Sequence, residues 1–370
     1  MINGVPFVDL GRQFKVLEKR LCEGFLSIGR SGQFILGEYV LAFEDQIAKY
    51  CGTKYAISCA NGSDALFLSL KALDIGNNAE VIIPANSFVA TLWVVVAAGA
   101  KPKFVDVGSD MNIDVNELER AYTERTRAII PVHLTGRPSA MNEVMSFAKM
   151  RDLFVIEDAA QAVGASLNGK RVGGFGISAG FSLHPLKNLG VLGDGGFITT
   201  DDSALYEQLT KLRNHGLRDR NHCEIWGYNS RLDEIQAFFA CEKLNHLDKW
   251  NLRCREIAMQ YKLELEGLVE LPQDRQHEYC VYHNFVIRTP LRDKLRDYLH
   301  SLNIGTAVHY PIPLHLQEAA KALGYKRGDF PRTELFASQM LSLPIFPELS
   351  SAEVQYVIDG IRGFFSFNRR

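Results

Sequence analysis

Lys187 lies in the segment Gly180-Phe181-Ser182-Leu183-His184-Pro185-Leu186-Lys187-Asn188-Leu189-Gly190, downstream of an apolar run that ends abruptly in Glu157-Asp158. An amine held in a short loop beside an apolar wall has its pKa lowered and can attack carbonyls, which is how Schiff-base lysines arise. A carboxylate at the end of a buried strand needs a partner, and the protonated ring nitrogen of pyridoxal phosphate is a suitable one. Helix capping is the ordinary alternative for Asp158. It is the pair, more than either residue, that points to carbonyl chemistry.

Other segments could serve the same cofactor. Asn61-Gly62-Ser63-Asp64-Ala65 follows one expected strand and opens a helix, so free N–H groups and the positive helix end face an anion such as phosphate. Alone, this reads as an ordinary N-cap. Ser182 precedes Lys187 by five positions, which would put a phosphate anchor and the reactive amine on one loop. Phe88 begins a helix where its ring could lie flat on a planar cofactor, and Gln161 follows Asp158 closely. The loop His309-Tyr310-Pro311-Ile312-Pro313-Leu314-His315 offers imidazoles and a phenol, but its prolines prevent a helical His pair for metal, and no third ligand is evident. Gly193-Asp194-Gly195-Gly196 fails the Gly-x-Gly-x-x-Gly pattern and reads as a turn. Gly176-Ile177-Ser178-Ala179-Gly180 satisfies Gly-x-Ser-x-Gly, so a serine hydrolase using Ser178 with His309 as base is the alternative of a different class. That motif requires strand, sharp turn and helix, whereas a strand-like run follows here.

The elements that must position these residues are short β-branched runs alternating with helical patterns, the signature of a mainly parallel sheet with helices on both faces. Strands are expected at Tyr55–Ser58, Glu80–Ile83, Lys103–Asp106, Ala128–His133, Leu153–Glu157, Ala179–Leu183 and Gly196–Thr199. A long helix from Leu232 to about Leu252 would lead into a smaller α+β region, whose sheet is expected from Leu271–Pro272, Tyr282–Ile287 and Gly305–Val308. The expected domains are 1–248 and 249–370. With 370 residues there is material for two cores, and 41 basic against 43 acidic residues leave no field for nucleic acid or an anionic membrane. The N-terminal residues lack the pattern of a secretory signal, and Phe88 to Ala100 is too short to span a bilayer. The 7 cysteines form no Cys-x-x-Cys pair, which fits reduced thiols in the cytoplasm.

Taken together, Pro6–Leu10, Asn61–Leu66, Pro84–Thr91, Glu157–Gly164, Ser182–Gly196, Arg213–Gly216, Gly227–Gln236 and His309–Gln317 resemble the DegT/DnrJ/StrS family of nucleotide-sugar aminotransferases. The resemblance implies an α/β fold of the aspartate-aminotransferase type, fold type I of pyridoxal-phosphate enzymes. It has a mainly parallel seven-stranded sheet and a smaller C-terminal α+β domain. It further implies a homodimer with shared sites and pyridoxal 5'-phosphate on Lys187, with Asp158 at the ring nitrogen, Gln161 at the ring oxygen and Phe88 on one ring face. Ser63, Asp64 and Ser182, with the partner subunit's Asn229, would hold the phosphate. The partner subunit's Arg231, together with His309 and Tyr310, would lie near the substrate. Leu183 stands where relatives usually carry an aromatic residue, and by that resemblance its side chain is expected to shape the pocket. The Asn-Gly-x-Asp-Ala-Leu and Lys-Asn-Leu-Gly forms resemble members that aminate 3-keto sugars. The expected substrate is a dTDP-linked 3-keto-6-deoxyhexose, with a UDP-linked or 4-keto sugar as alternative. L-glutamate is the expected donor, and surface-polysaccharide amino sugars the expected use.

Overall fold

The computed structural model describes residues 3–368. All seven expected strands form and make one sheet. They are β1 (Tyr55–Cys59), β2 (Glu80–Pro84), β3 (Lys101–Val105), β4 (Thr126–Ile129), β5 (Phe154–Asp158), β6 (Ser178–Ser182) and β7 (Gly196–Thr200). Their order across the sheet is β1-β7-β6-β5-β4-β2-β3. Only β7 runs against its neighbours, pairing antiparallel with both β1 and β6. The carboxyl ends of β1, β2, β5 and β6 therefore share one edge, where ligands bind in open α/β sheets. Buried on both faces, β2 reads as the apolar run Val81-Ile82-Ile83, which is why it is visible in sequence.

Helices α1 (Leu10–Ser31) and α2 (Glu38–Cys51) precede the sheet. Asp9 caps α1 by accepting the Arg12 N–H, and α1 and α2 stop at Gly32 and Gly52, both left-handed. Val40, Phe43, Ile47 and Cys51 of α2 recur at helical spacing and are buried in one core with Phe181 and Phe197 of the sheet. Then come α3 (Gly62–Ala72), α4 (Val89–Ala97), α5 (Leu118–Ala121), α6 (Met141–Arg151) and α7 (Ser203–Leu212), which alternate with the strands.

Helix α8 (Glu234–Leu265) is longer than the sequence pattern indicated. Its first half, through Leu247, packs into the core shared with α2 and the sheet. From Cys254 through Ile257, Tyr261 and Leu265 it packs into a separate core with the C-terminal elements. Two different apolar partners rotate the buried stripe along one helix, so no single periodicity runs its length. The C-terminal region adds α9 (Arg292–Ser301), α10 (Pro331–Gln339) and α11 (Ser351–Asn368).

Its small sheet differs from expectation. It pairs β8 (Phe285–Arg288) with β9 (Met340–Leu343), while Glu270 and Ala307 contribute single bridges. Tyr282 takes a left-handed φ of 51°, which ends any strand before Phe285. Segment 340–343 follows α10 with no turn residue between them, so sequence alone merges it with the helix. Glu318–Leu323 forms a 3₁₀ helix. Among the described residues, no helix is long and apolar enough to cross a membrane.

Candidate active site

The shared edge of β1, β2, β5 and β6 forms the floor of a cavity of about 760 Å³, closed on its far side by residues of the C-terminal region. Lys187, Asp158, Gln161, Ser63, Asp64, Ser182, Phe88, His309 and Tyr310 all line it.

One corner is built from two loops in direct contact. Asn61 caps α3: its Oδ1 accepts the Asp64 N–H at 2.8 Å and its carbonyl accepts the Ala65 N–H at 3.1 Å. The Gly62 and Ser63 N–H groups stay free at the positive helix end. Gly62 must be glycine, since a Cβ there would lie 2.6 Å from the Ser182 Cβ, and Gly196 would meet the Asn61 carbonyl at 2.4 Å. These close approaches put Ser182 beside the opening of α3. Two N–H groups and two hydroxyls converge there as donors suited to a phosphate. Asp64 also lines the corner, but its carboxylate already accepts the Ser230 hydroxyl at 2.6 Å and its N–H belongs to Asn61. Asp64 therefore offers no donor to a phosphate. The free N–H of Gly62 could serve as one instead.

The opposite corner holds the charged pair. Asp158 ends β5, fully buried; its Oδ2 accepts the Thr91 hydroxyl at 2.7 Å and its Oδ1 the Ala160 N–H at 3.3 Å. Burial pushes its pKa up against the opposing pull of Thr91, Ala160, Lys187 and His133. A buried acid in that condition calls for a cation, which a pyridinium nitrogen supplies. Lys187, three residues past the turn at His184, has its pKa lowered to about 8 by burial, with Asp158 working the other way. About a tenth of the amine is thus neutral and nucleophilic at pH 7, far more than for an ordinary lysine. Gln161 accepts the Thr135 N–H at 2.6 Å and donates to the Tyr310 hydroxyl at 3.2 Å.

Phe88, 52 % exposed, presents its ring to the cavity at 5.6 Å from that of Tyr310. His309 hydrogen-bonds the Ser342 hydroxyl at 2.8 Å, and burial with the Lys187 charge lowers its pKa to about 4. His283 was not singled out from sequence, yet it lines the same wall. Burial, then Lys187, His309 and His184, drive its pKa well below the ordinary imidazole value. Ser87, Thr91 and Asn284 line the cavity as well, also without prior notice. Small hydroxyl and amide side chains carry no pattern of their own, and only the fold brings them to the edge.

Other expectations are corrected. Leu183 does not shape the pocket: it is 0 % exposed and packs in the core of α2 and α8. Ser178 opens β6, 1 % exposed, at the end of the strand opposite Ser182, roughly 13 Å away at about 3.3 Å per residue. It lies apart from the cavity that His309 lines, and a strand follows it, so the hydrolase arrangement is absent. His315 is turned away from His309 and bonds Glu334 at 3.0 Å. Asn229 and Arg231 do not line the cavity of their own chain; Arg231 donates to Asn214 at 3.1 Å.

The chain has close counterparts among known proteins. The model of the DegT/DnrJ/EryC1/StrS aminotransferase family matches residues 16–362. The pleiotropic regulatory protein of Geobacillus stearothermophilus is 44% identical over 98% of this chain and 98% of its own. The dTDP-3-amino-3,4,6-trideoxy-alpha-D-glucose transaminase of Streptomyces venezuelae is 41% identical over 97% of this chain and 95% of its own. The crystal structure of S. venezuelae DesV in complex with a ketimine intermediate superposes with a TM-score of 0.96 at 41% identity, covering 98% of each chain. With its lysine, buried aspartate and phosphate corner on one sheet edge, the chain belongs to the DegT/DnrJ/EryC1/StrS aminotransferase family.

Proposed function

We propose that this protein is a pyridoxal-phosphate-dependent aminotransferase that moves an amino group from L-glutamate to a nucleotide-linked keto-sugar. The observation that carries the reading is that Lys187 and Asp158 line one cavity together with the free N–H and hydroxyl donors of Gly62, Ser63 and Ser182. These residues fit the cofactor: donors for its phosphate, a buried acid for its ring nitrogen, an exposed phenyl ring for its face and an amine for its aldehyde. Bound there, pyridoxal phosphate supplies the aldehyde that carries the amino group and the protonated ring that takes up the electron pair released at carbon. Lys187 is the residue that would hold the cofactor through its aldehyde, and its Nζ would serve as the base and acid that moves a proton at the donor's Cα and at the sugar carbon. Asp158 would hold the ring nitrogen in its protonated form. Phe88 and Tyr310 keep water from the reacting face.

Amination at C3 of a dTDP-linked 3-keto-6-deoxyhexose is the favoured substrate reading. It is supported by the Asn61-Gly62-Ser63-Asp64-Ala65-Leu66 form and by relatives named for dTDP-3-amino sugars. A relative named for a UDP-linked 3-dehydro sugar keeps the UDP alternative in view. A homodimer is supported by Asn229 and Arg231 lying outside their own cavity, and by the exposed apolar side chains Phe34, Phe88, Trp93 and Val96. The cytoplasm is the fitting compartment, amino sugars of surface polysaccharides the fitting use, and 1–248 and 249–370 the fitting domain division.

The test is a panel of dTDP- and UDP-linked 3-amino and 4-amino sugars offered to the cofactor-loaded protein. The 3-amino dTDP sugars should bleach the visible band of the lysine-bound cofactor. No visible band with added cofactor would sink the enzyme reading, and bleaching by 4-amino sugars alone would move the reaction to C4.

A further inference from the structure

Asp158 lines the cavity, and one of its carboxylate oxygens is held by a chain of hydroxyls. Thr91 Oγ1 lies 2.7 Å from Asp158 Oδ2, and Ser87 Oγ lies 2.7 Å from Thr91 Oγ1. All three side chains are buried, and all three residues line the cavity. Ionised Asp158 can only accept, so Thr91 must donate to it, and the Ser87 hydroxyl then donates to Thr91. The direction of both hydrogen bonds is thereby fixed by the charge at the inner end.

The source of the arrangement is local. Ser87 precedes α4 and Thr91 lies in its first turn, one helical turn apart and so on the same face. Thr91 is 0 % exposed although its neighbours Phe88, Val89 and Trp93 are exposed. Leu92, Val94 and Val95 bury α4 against the sheet, which fixes where the Thr91 hydroxyl sits. Helix α4 spends a core position on a hydroxyl that meets no backbone partner, only the carboxylate and Ser87.

We propose, on the aminotransferase reading above, that Ser87 and Thr91 are positioning residues that orient the Asp158 carboxylate, so that Oδ1 is presented to the ring nitrogen of the cofactor. The groups facing that carboxylate are Lys187 and His133, both of which favour its ionised form, and the Tyr310 phenol across the cavity. None of them bonds Oδ2; the Thr91 hydroxyl holds that oxygen at 2.7 Å, against 3.3 Å for the Ala160 N–H on Oδ1, so Thr91 makes the shorter of the two bonds that set the rotation of the carboxylate about its Cβ–Cγ bond. A carboxylate free to turn would share the ring proton less well. The ring nitrogen would then lose charge, and the lysine-bound cofactor would hold its own proton more tightly.

The experiment compares Thr91→Val, Thr91→Ser and Ser87→Ala with the parent, each loaded with pyridoxal phosphate. The readout is the pH midpoint of the visible absorbance band, with the dissociation constant for pyridoxal phosphate measured by titrating apoprotein. Thr91→Val keeps the volume and removes the hydroxyl. It should raise the midpoint by about one pH unit and weaken cofactor binding about 10-fold, the effect of one hydrogen bond to a charged group. Thr91→Ser should restore both, and Ser87→Ala should shift both in the same direction by less. An unchanged midpoint in Thr91→Val, or a shift that Thr91→Ser does not restore, overturns the proposal. If Thr91→Val fails to fold, an unchanged midpoint in Ser87→Ala overturns it. If the parent shows no visible band, it is the aminotransferase reading itself that fails.

Discussion

Glu157 and Asp158 are consecutive acids at the end of one buried strand, and strand geometry sends them to opposite faces of the sheet. Glu157 has four donors: the His133 ring at 3.0 Å and the Gly173, Phe175 and Gly176 N–H groups at 2.9, 2.7 and 2.9 Å. His133 accepts the Ser139 N–H on its Nδ1, so its Nε2 carries the hydrogen that goes to Glu157. Despite complete burial, this set holds the Glu157 carboxyl below the ordinary range. Asp158, as deeply buried, has the Thr91 hydroxyl and one long N–H contact, and its pKa is raised. The difference separates a structural acid from a functional one. Glu157 ties the loop at 173–176 to the sheet and is complete. Asp158 is left incomplete on the side that faces Lys187 and the cavity.

Removing the amine that Asp158 faces should have the largest effect. Lys187→Ala should lower kcat for transamination at least about 10⁴-fold, because both the carbonyl nucleophile and the proton carrier go with one nitrogen. The check is single-turnover kinetics, with circular dichroism to confirm the fold. Asp158→Asn comes next, at about 10³-fold in kcat/KM, since an amide cannot hold a charged ring nitrogen. Its apoprotein should nevertheless melt at or above the parent, because a raised pKa marks a charge the empty fold bears at a cost. Glu157→Gln should give the reverse pattern. It should lose about 3 kcal/mol in denaturant unfolding, with kcat/KM per folded molecule within about threefold of the parent, because it breaks a completed buried network away from the chemistry. If Asp158→Asn destabilises more than Glu157→Gln, the distinction between the two acids collapses.

The same contrast shows what sequence could reveal. The apolar run ending in Glu157-Asp158 is legible because a parallel strand buried on both faces needs it. Lys187 and Ser182 are legible because one loop carries both. Which acid faces the cavity is a matter of strand parity, and parity alone does not say which face is the site. His283 and Thr91 were unreadable for a different reason: one follows a left-handed tyrosine and the other sits among apolar helix residues, and the site residue that Thr91 bonds, Asp158, is 67 positions away in the chain. Leu183 shows the converse error. Next to Ser182 in sequence, it points to the opposite face of the chain and into the core. Helices α1 and α2 carry none of the candidate chemistry and so went unread, although Leu17, Leu21 and Ile28, and Val40, Phe43 and Ile47, recur at helical spacing.

A subtler separation comes from pH. Glu157 has a folded pKa below its unfolded value, so its stabilisation is full above the unfolded carboxyl pKa and is lost as pH falls through the folded one. Asp158 has a folded pKa above its unfolded value, so the folded state binds the extra proton. Its contribution to the apoprotein is greatest in acid and fades as pH rises through the folded pKa. Relative to the parent, Glu157→Gln should therefore cost least at the acid end, and Asp158→Asn should gain most toward neutrality. Unfolding free energies from pH 3 to 7 would show the two variants diverging from the parent with opposite signs as pH rises.

The smallest effect concerns Lys187 in the parent protein. Its pKa of about 8 lies below the ordinary lysine value because burial disfavours the charged form, with Asp158 pulling the other way. Only the neutral amine attacks an aldehyde, so the rate at which apoprotein captures pyridoxal phosphate should rise with pH and level off above about 8. Asp158→Asn removes the one carboxylate that favours the ammonium form, so the midpoint of that rise should move down. Glu157→Gln should leave it in place, because Glu157 points away from the amine. A stopped-flow pH profile of capture distinguishes the cases, and equal midpoints in all three proteins would mean that Asp158 and Lys187 do not sense each other across the cavity.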